Sequence, residues 1–272
     1  MLDRRTSPSG VVYYGSRLLD AAGVPHAFST RRGGVSPSPF DSLNLGNPSG
    51  CDVLDDGERI ERNYALLQTA IGCEGFPRCR LHQVHGAAAH DVRRGEPFES
   101  GMKGDALTSD DPQRIIAIRV ADCVPILLSS DDGTFVAAIH AGWRGVVANV
   151  VGVTVAQLRE RSGASAQSFV AAVGPCIGFD AFEVGPEVVA EFERAFGAGA
   201  PVRRADDGKG RVDLREAVKR QLRDAGLRED RIDTTDRCTW RDGDEFFSHR
   251  RDRGITGRMC AMIAPKRHGA LK

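Results

Sequence analysis

Long apolar runs are missing from this sequence. No stretch approaches the ~18–20 residues that cross a bilayer, and the opening "MLDRRTSPSG" carries charge with no apolar segment after it. Neither a membrane partner nor a secretory leader is expected. An excess of one charge is missing too: Lys+Arg and Asp+Glu both number 37, so the formal net charge is zero. That weighs against a nucleic-acid partner, which favours a basic surplus. No CxxC pair occurs among the seven cysteines. Their odd number, without an export signal, points to reduced thiols and a cytoplasmic location. Any metal site must then be assembled from residues far apart in the chain. No His-x-His pair occurs among the seven histidines, which leaves too few ligands for a multicopper centre. Solenoid repeats, low-complexity tracts and linkers are absent as well.

What remains is an ordinary globular balance, with 41% hydrophobic and 27% charged residues in 272. With no linker, residues 1–272 read as one domain. Apolar spacing predicts a helix through Ile60, Tyr64, Leu67 and Ile71, and another through Val147, Val151, Val155 and Leu158. A third carries Leu214, Val218 and Leu222, opened by Asp213 and Glu216 as a capping box. A fourth covers Pro186–Phe196, with proline in the first turn. Short Val- and Ile-rich runs predict strands at 11–14, 27–29, 115–120, 125–128, 135–139, 169–173 and 259–263. Strands and helices mix without strict alternation. The expected fold is α/β of the mixed α+β kind, with layered β-sheets flanked by helices.

Polar residues interrupt three apolar segments at their ends. "LHQVHG" (81–86) holds His82 and His85, "RVADCVPILL" (119–128) holds Asp122 and Cys123, and "IHAGWRG" (139–145) holds His140. A single such residue is usually a satisfied core group. Three at strand ends mark the place where sheets put ligand sites. A histidine, a cysteine and a histidine form a three-ligand set suited to Zn²⁺, with a fourth position left for water or substrate. Gly142 and Gly145 would let backbone approach a ligand, and Arg144 at a helix start would hold a phosphate or carboxylate. The alternative for that turn is simple packing of Trp143 on the core. The Gly-, Ser- and Pro-rich stretch 29–50 is either an ordered functional loop or a mobile excursion. Cys176 is either a second thiol near the site or a small buried residue, the second being favoured, and His82 could join the ligand surroundings. Arg250, Arg251 and Arg258 would bind an anion or pair with acidic groups.

The segments "STRRGGVSPSPFDSLNLG", "LHQVHG", "DALTS", "ADCVPILL", "HAGWRG", "GPCIGFDAFEVGPEV" and "RRDRGITGR" together resemble the YfiH family, from about residue 27 to 263. Members have been described as polyphenol oxidase or laccase-like, and as purine nucleoside phosphorylases. The resemblance implies a zinc site of His85, Cys123 and His140. It also implies one domain of layered sheets, similar to a toxin deamidase that uses a Cys-His pair. Its implied activities are phosphorolysis of adenosine, inosine, guanosine and methylthioadenosine, and deamination of adenosine. Some members are linked to editing of peptidoglycan precursors. The chain departs from the family pattern at Gly50-Cys51-Asp52 and Asn63-Tyr64, and at His249, where a tyrosine is frequent; both departures bear on substrate preference.

The expected partners are thus a small nucleoside and phosphate. Phosphate would attack C1′ of the ribose, held by Arg144 and by the loop carrying Ser29, Arg31 and Gly33. In deamination the metal would make water acidic enough to attack purine C6. Asp122, beside Cys123, would carry a proton, belong to the ligand surroundings, or only cap a turn. Three rivals stand beside this reading. One is copper-dependent phenol oxidation, since copper also binds N and S donors tightly. Another is an amidohydrolase with Cys123 as nucleophile. The third is a binder of nucleotides or cell-wall precursors without turnover.

Overall fold

The strand Ile115–Val120 shows how the layers arise. Ile116, Ile118 and Val120 enter one apolar cluster, while Ile115 and Ala117 enter another. Side chains alternate across a strand, so a strand apolar at every position but one is buried on both faces. The same holds for 124–130, 136–141, 169–173 and 259–263. Such strands need a layer on each side.

The computed structural model describes residues 1–267 and supplies those layers. One sheet runs in the order β1 (Asp3–Thr6), β2 (Val12–Gly15), β3 (His26–Ser29), β15 (Met259–Ile263), β7 (Ile115–Val120), β4 (Arg78–Cys79). A second runs β14 (Ile232–Asp233), β10 (Phe169–Val173), β8 (Val124–Ser130), β9 (Val136–Ala141), β6 (Ala106–Ser109), β5 (Ala89–Val92). The inner faces meet through Ile116, Ile118, Leu127, Ala138, Val170 and Ala261. On the outer face of the first sheet lies α2 (Gly57–Ala70), docked by Ile60, Tyr64 and Leu67. On the outer face of the second lie α4 (Val150–Ser162), α5 (Pro186–Phe196) and α6 (Leu214–Asp224). The order is helix, sheet, sheet, helices. A short α1 (Arg17–Ala21) follows β2. A small sheet of β11 (Glu183–Val184), β13 (Gly210–Val212) and β12 (Val202–Arg204) sits beside α5. No helix among the described residues is long and apolar enough to cross a membrane.

The helix expected through Val147 and Leu158 is in fact two, α3 (Trp143–Val147) and α4. The break comes at Asn149, which takes a left-handed φ of +57° and accepts the Gly152 N–H on its side chain. It acts as the N-cap of a new helix, a role for which Asn is well suited. At α6, the Asp213 carboxylate caps the Glu216 N–H at 2.9 Å, but Glu216 turns to Arg220 and Arg223 instead of back to the cap. Only half of the expected capping box forms.

The stretch 29–50 is pinned. Asn63 of α2 donates to the carbonyls of Ser42 and Asn44 and accepts the Val35 N–H, and Tyr64 donates to the Leu45 carbonyl. Phe40, Leu43 and Leu45 are buried beneath it.

Both sheets bring their working residues to one end. In the second sheet Cys123 leads into β8, and His140 lies in β9 opposite Pro125. Asp105 leads into β6, whose Ala106 pairs Ile139. In the first sheet Arg119 of β7 pairs Cys260, and Arg258 leads into β15.

Candidate metal centre and substrate cavity

His85, Cys123 and His140 converge: one ligand atom from each lies within 4.8 Å of the others. The two imidazoles meet edge to face, with centroids 4.9 Å apart and planes at 73°. His85 reaches this place from a loop with a left-handed φ of +60°. Gly142 makes room for it. A Cβ there would lie 2.6 Å from His85 Cδ2 and 3.2 Å from the Cys123 sulfur. Gly145 does the same for the neighbouring loop residue, since its Cβ would lie 2.8 Å from the Gly86 carbonyl. The glycines of "HAGWRG" therefore seat the His85 loop, where the sequence suggested a ligand cradle.

Asp105 organises two of the three donors. Its fully buried carboxylate accepts His140 Nδ1–H at 2.8 Å and the His85 N–H at 2.9 Å on one oxygen. The other oxygen accepts the N–H groups of Gly86 at 2.6 Å and Val84 at 3.3 Å. With Nδ1 committed to Asp105, Nε2 is the nitrogen His140 has free for a metal, which is the usual arrangement around metal-bound histidine. Sequence reasoning missed Asp105. Its only signal was an acidic residue opening the strand "DALTS".

The trio is electrically primed. Burial pushes the Cys123 thiol up, but His140 and His85 outweigh it and hold the thiol at about 6. Burial pushes His140 down, yet the Cys123 sulfur and Asp105 carry it up to about 9. Without metal the pair at neutral pH is thiolate and imidazolium; the thiolate is the form that ligates, and a metal would displace the proton from His140 Nε2. Two nitrogens and one sulfur suit Zn²⁺, and three protein donors are the number found in catalytic zinc sites. The donor set fits the metal.

Above the trio lies a cavity of about 330 Å³. Arg119, Arg250 and Arg258 line it, and among the described residues none of them forms an ion pair. Burial and the neighbouring Arg119 push Arg258 below the usual guanidinium range. One carboxylate, Asp122, shares the cavity with these cations, and it forms no ion pair with any of them among the described residues, so three positive charges outnumber one negative at the site. Arg119 was another residue the sequence did not single out, though it is the one charged residue in "IIAIRV".

Three other polar residues of the lining are already engaged. The Gln83 amide pairs both ways with the Arg119 main chain, and the Asn47 amide with that of Asp55. Asp122, at φ +89°, accepts Thr239 Oγ1–H at 2.6 Å on one oxygen and the Arg250 N–H at 2.7 Å on the other. Its carboxylate joins three segments around Cys123, which does not suit a proton carrier.

Four residues proposed from sequence for phosphate lie outside this cavity. Ser29 is buried in β3, its Oγ accepting the Cys260 N–H. Arg31 is spent on the carbonyls of Asp41 and Gly243, on the Asp41 carboxylate and on the face of Phe247. Gly33, at φ +93°, packs so tightly that a Cβ would lie 2.3 Å from the Gly10 carbonyl. Arg144 is exposed and stacks on Trp143 at 4.3 Å from the ring centroid. Its helix points the side chain to solvent. Of the other sequence candidates, His82 lines the cavity, while Cys176 is fully buried with its thiol pushed up to about 11. Arg251 pairs with Asp252. A larger groove of about 800 Å³ between α4, α5 and α6 contains no histidine or cysteine.

Known proteins resemble this chain over most of its length. A purine nucleoside phosphorylase of Deinococcus radiodurans is 39% identical over 247 residues, covering 90% of this chain and 91% of that protein. The purine nucleoside phosphorylase YfiH of Escherichia coli is 39% identical over 245 residues, covering 89% and 93%. The crystal structure of YlmD from Geobacillus stearothermophilus superposes with a TM-score of 0.86 at 32% identity, covering 97% of this chain and 99% of that one. The family model described as multi-copper polyphenol oxidoreductase laccase matches residues 25–266, and the chain belongs to that family, in which YfiH also falls.

Proposed function

We propose that this protein is a zinc-dependent purine nucleoside phosphorylase. The observation that carries the reading is the arginine group, Arg119, Arg250 and Arg258, which forms no ion pair among the described residues and lies beside the His85–Cys123–His140 trio in one cavity. Phosphorolysis needs a phosphate site next to the reacting centre. Oxidation of a phenol and hydrolysis of an amide do not. The names of the relatives point the same way.

Arg119 and Arg258 are assigned to the phosphate, because planar guanidinium groups match its oxygens in pairs. A phosphate oxygen bonds to C1′ of the ribose as the C1′–N9 bond breaks, and the electron pair leaves with the purine. Ile177 and Phe182 offer the ring an apolar wall. Zinc, when bound, supplies Lewis acidity toward an electronegative substrate atom. The proposed substrates are adenosine, inosine, guanosine and methylthioadenosine. The same centre would serve hydrolytic loss of the 6-amino group of adenosine, which releases ammonia and needs no phosphate. Seven free thiols suit the reducing cytoplasm. A multicopper centre is not supported, since the trio is the one His/Cys/Asp/Glu ligand cluster among the described residues.

The test is a product assay on adenosine and inosine, with and without phosphate, on protein of measured zinc content. Free base and ribose 1-phosphate should form only when phosphate is present. Base release that ignores phosphate would overturn the reading.

A further inference from the structure

A purine that leaves carrying the bond's electron pair is a poor leaving group until a proton reaches its ring nitrogen. The cavity offers few groups able to give one. Gln83 and Asn47 have their amides locked to main chain, and Asp122 has both oxygens taken. Arginines do not give up protons near neutrality. Cys123, His85 and His140 converge on one another as the ligand set. Two imidazoles remain, His82 and His249.

Their positions differ. His82 is held at the edge of its loop, its N–H donating to the Met102 carbonyl and its carbonyl accepting the Gly104 N–H. The next residue, Gln83, clamps the Arg119 main chain, so His82 sits beside the strand that carries Arg119. His249 comes from another segment of the lining. It directly precedes Arg250, whose guanidinium lies 5.4 Å from the Phe182 ring centroid and donates to the Glu183 carbonyl. That is the apolar wall against which a purine would rest. Among the described residues the one hydrogen bond made by His249 is through its carbonyl, to the Gly254 N–H, and the ring is exposed and uncommitted.

We propose that His249 is the catalytic acid that protonates the departing purine. The proposal rests on the phosphorylase reading. As the C1′–N9 bond breaks, the imidazolium of His249 passes its proton to N7 of the purine. The products are the neutral base, ribose 1-phosphate and a neutral His249, which recovers a proton from solvent.

The experiment compares inosine with 7-methylinosine. The second nucleoside already bears positive charge at N7 and leaves as a neutral base without an added proton. His249→Gln should lose on the order of 100-fold in kcat on inosine but no more than about threefold on 7-methylinosine. His249→Asn should behave alike, and zinc content and the circular dichroism spectrum should match wild type. Equal losses on both nucleosides would show a merely structural role and overturn the proposal. So would unchanged activity on inosine, or a leaving-group-selective loss in His82→Gln in its place. Wild-type protein that releases base from neither nucleoside in the presence of phosphate would refute the phosphorylase reading itself, an outcome visible before any variant is made.

Discussion

Asp105→Asn changes one atom and should damage the metal site without unfolding the protein. The Asp105 carboxylate accepts four donors, two on each oxygen. An asparagine has a single acceptor oxygen. If that oxygen stays with His140 and His85, its NH₂ faces the N–H groups of Gly86 and Val84, donor against donor. If it flips, the NH₂ faces His140 Nδ1 and forces the other tautomer, placing the ring proton on the nitrogen needed by the metal. Losing a hydrogen bond to a buried charged group costs about 1.5–3 kcal/mol. Part of that is relieved by movement of the 84–86 loop, which carries His85 away from the trio. Zinc affinity should therefore fall roughly 10- to 100-fold, or about 1.4–2.8 kcal/mol. Competition against a chromophoric chelator at pH 7 measures it, with a thermal melt of the metal-free variant to register any loss of fold. Unchanged zinc affinity alongside an unchanged melt would refute the idea that Asp105 orients the ligands.

Three further outcomes are expected. In metal-free protein Cys123 should react with iodoacetamide with a midpoint near pH 6, because its thiol is held at about 6; the thiolate is present above that pH and protonated below it, and zinc should protect it. A midpoint at the ordinary thiol value of about 8.5 would contradict the ion pair with His140. Asp122→Asn should stay within about threefold of wild-type kcat, because Asn tolerates a left-handed φ and can accept from Arg250 while donating to Thr239, whereas Asp122→Ala should lose both zinc and activity; an inactive Asn variant that retains its zinc would restore Asp122 as a proton carrier. Arg258→Lys keeps the charge and loses the planar fork, so KM for phosphate should rise about tenfold with little change for the nucleoside, and equal effects on both would assign Arg258 to folding.

Much of the fold was legible because its strands are apolar on both faces. Strands 115–120, 169–173 and 259–263 have the expected bounds, and so does the helix opened by Pro186. The missed elements carry little apolar signal. β1 reads Asp-Arg-Arg-Thr, α1 is five residues long, and β4, β11 and β14 have two residues each. Pairing with a neighbour makes these strands, and no local pattern announces it. The candidate ligands were legible because histidine and cysteine interrupt apolar runs. The anion site was misplaced for a related reason. Arg144 lies beside a ligand in sequence, but a helical turn carries its side chain outward. Arg119 and Arg258 come from the other sheet, and only the pairing of β7 with β15 sets them side by side. Asp105 was invisible as a functional residue because its role depends on three loop N–H groups that the sequence cannot orient.

A thiolate beside an imidazole that is backed by a carboxylate is also the arrangement of a nucleophilic cysteine. His85 separates the two uses. A nucleophile and its base gain nothing from a second imidazole set edge-on to the first. Placing it there requires a non-glycine residue at φ +60°, a conformation that costs on the order of 1–3 kcal/mol. The hydrogen bonds that Asp105 accepts from Val84, His85 and Gly86 offset that cost. Gly142 and Gly145 keep clear the space the loop occupies. A carboxylate and two glycines, from two different elements, thus serve to deliver one extra nitrogen to a pair that would already suffice for covalent catalysis. Three converging N and S donors are what a metal ion needs and a nucleophile does not, so the strain at His85 argues that Cys123 is a ligand.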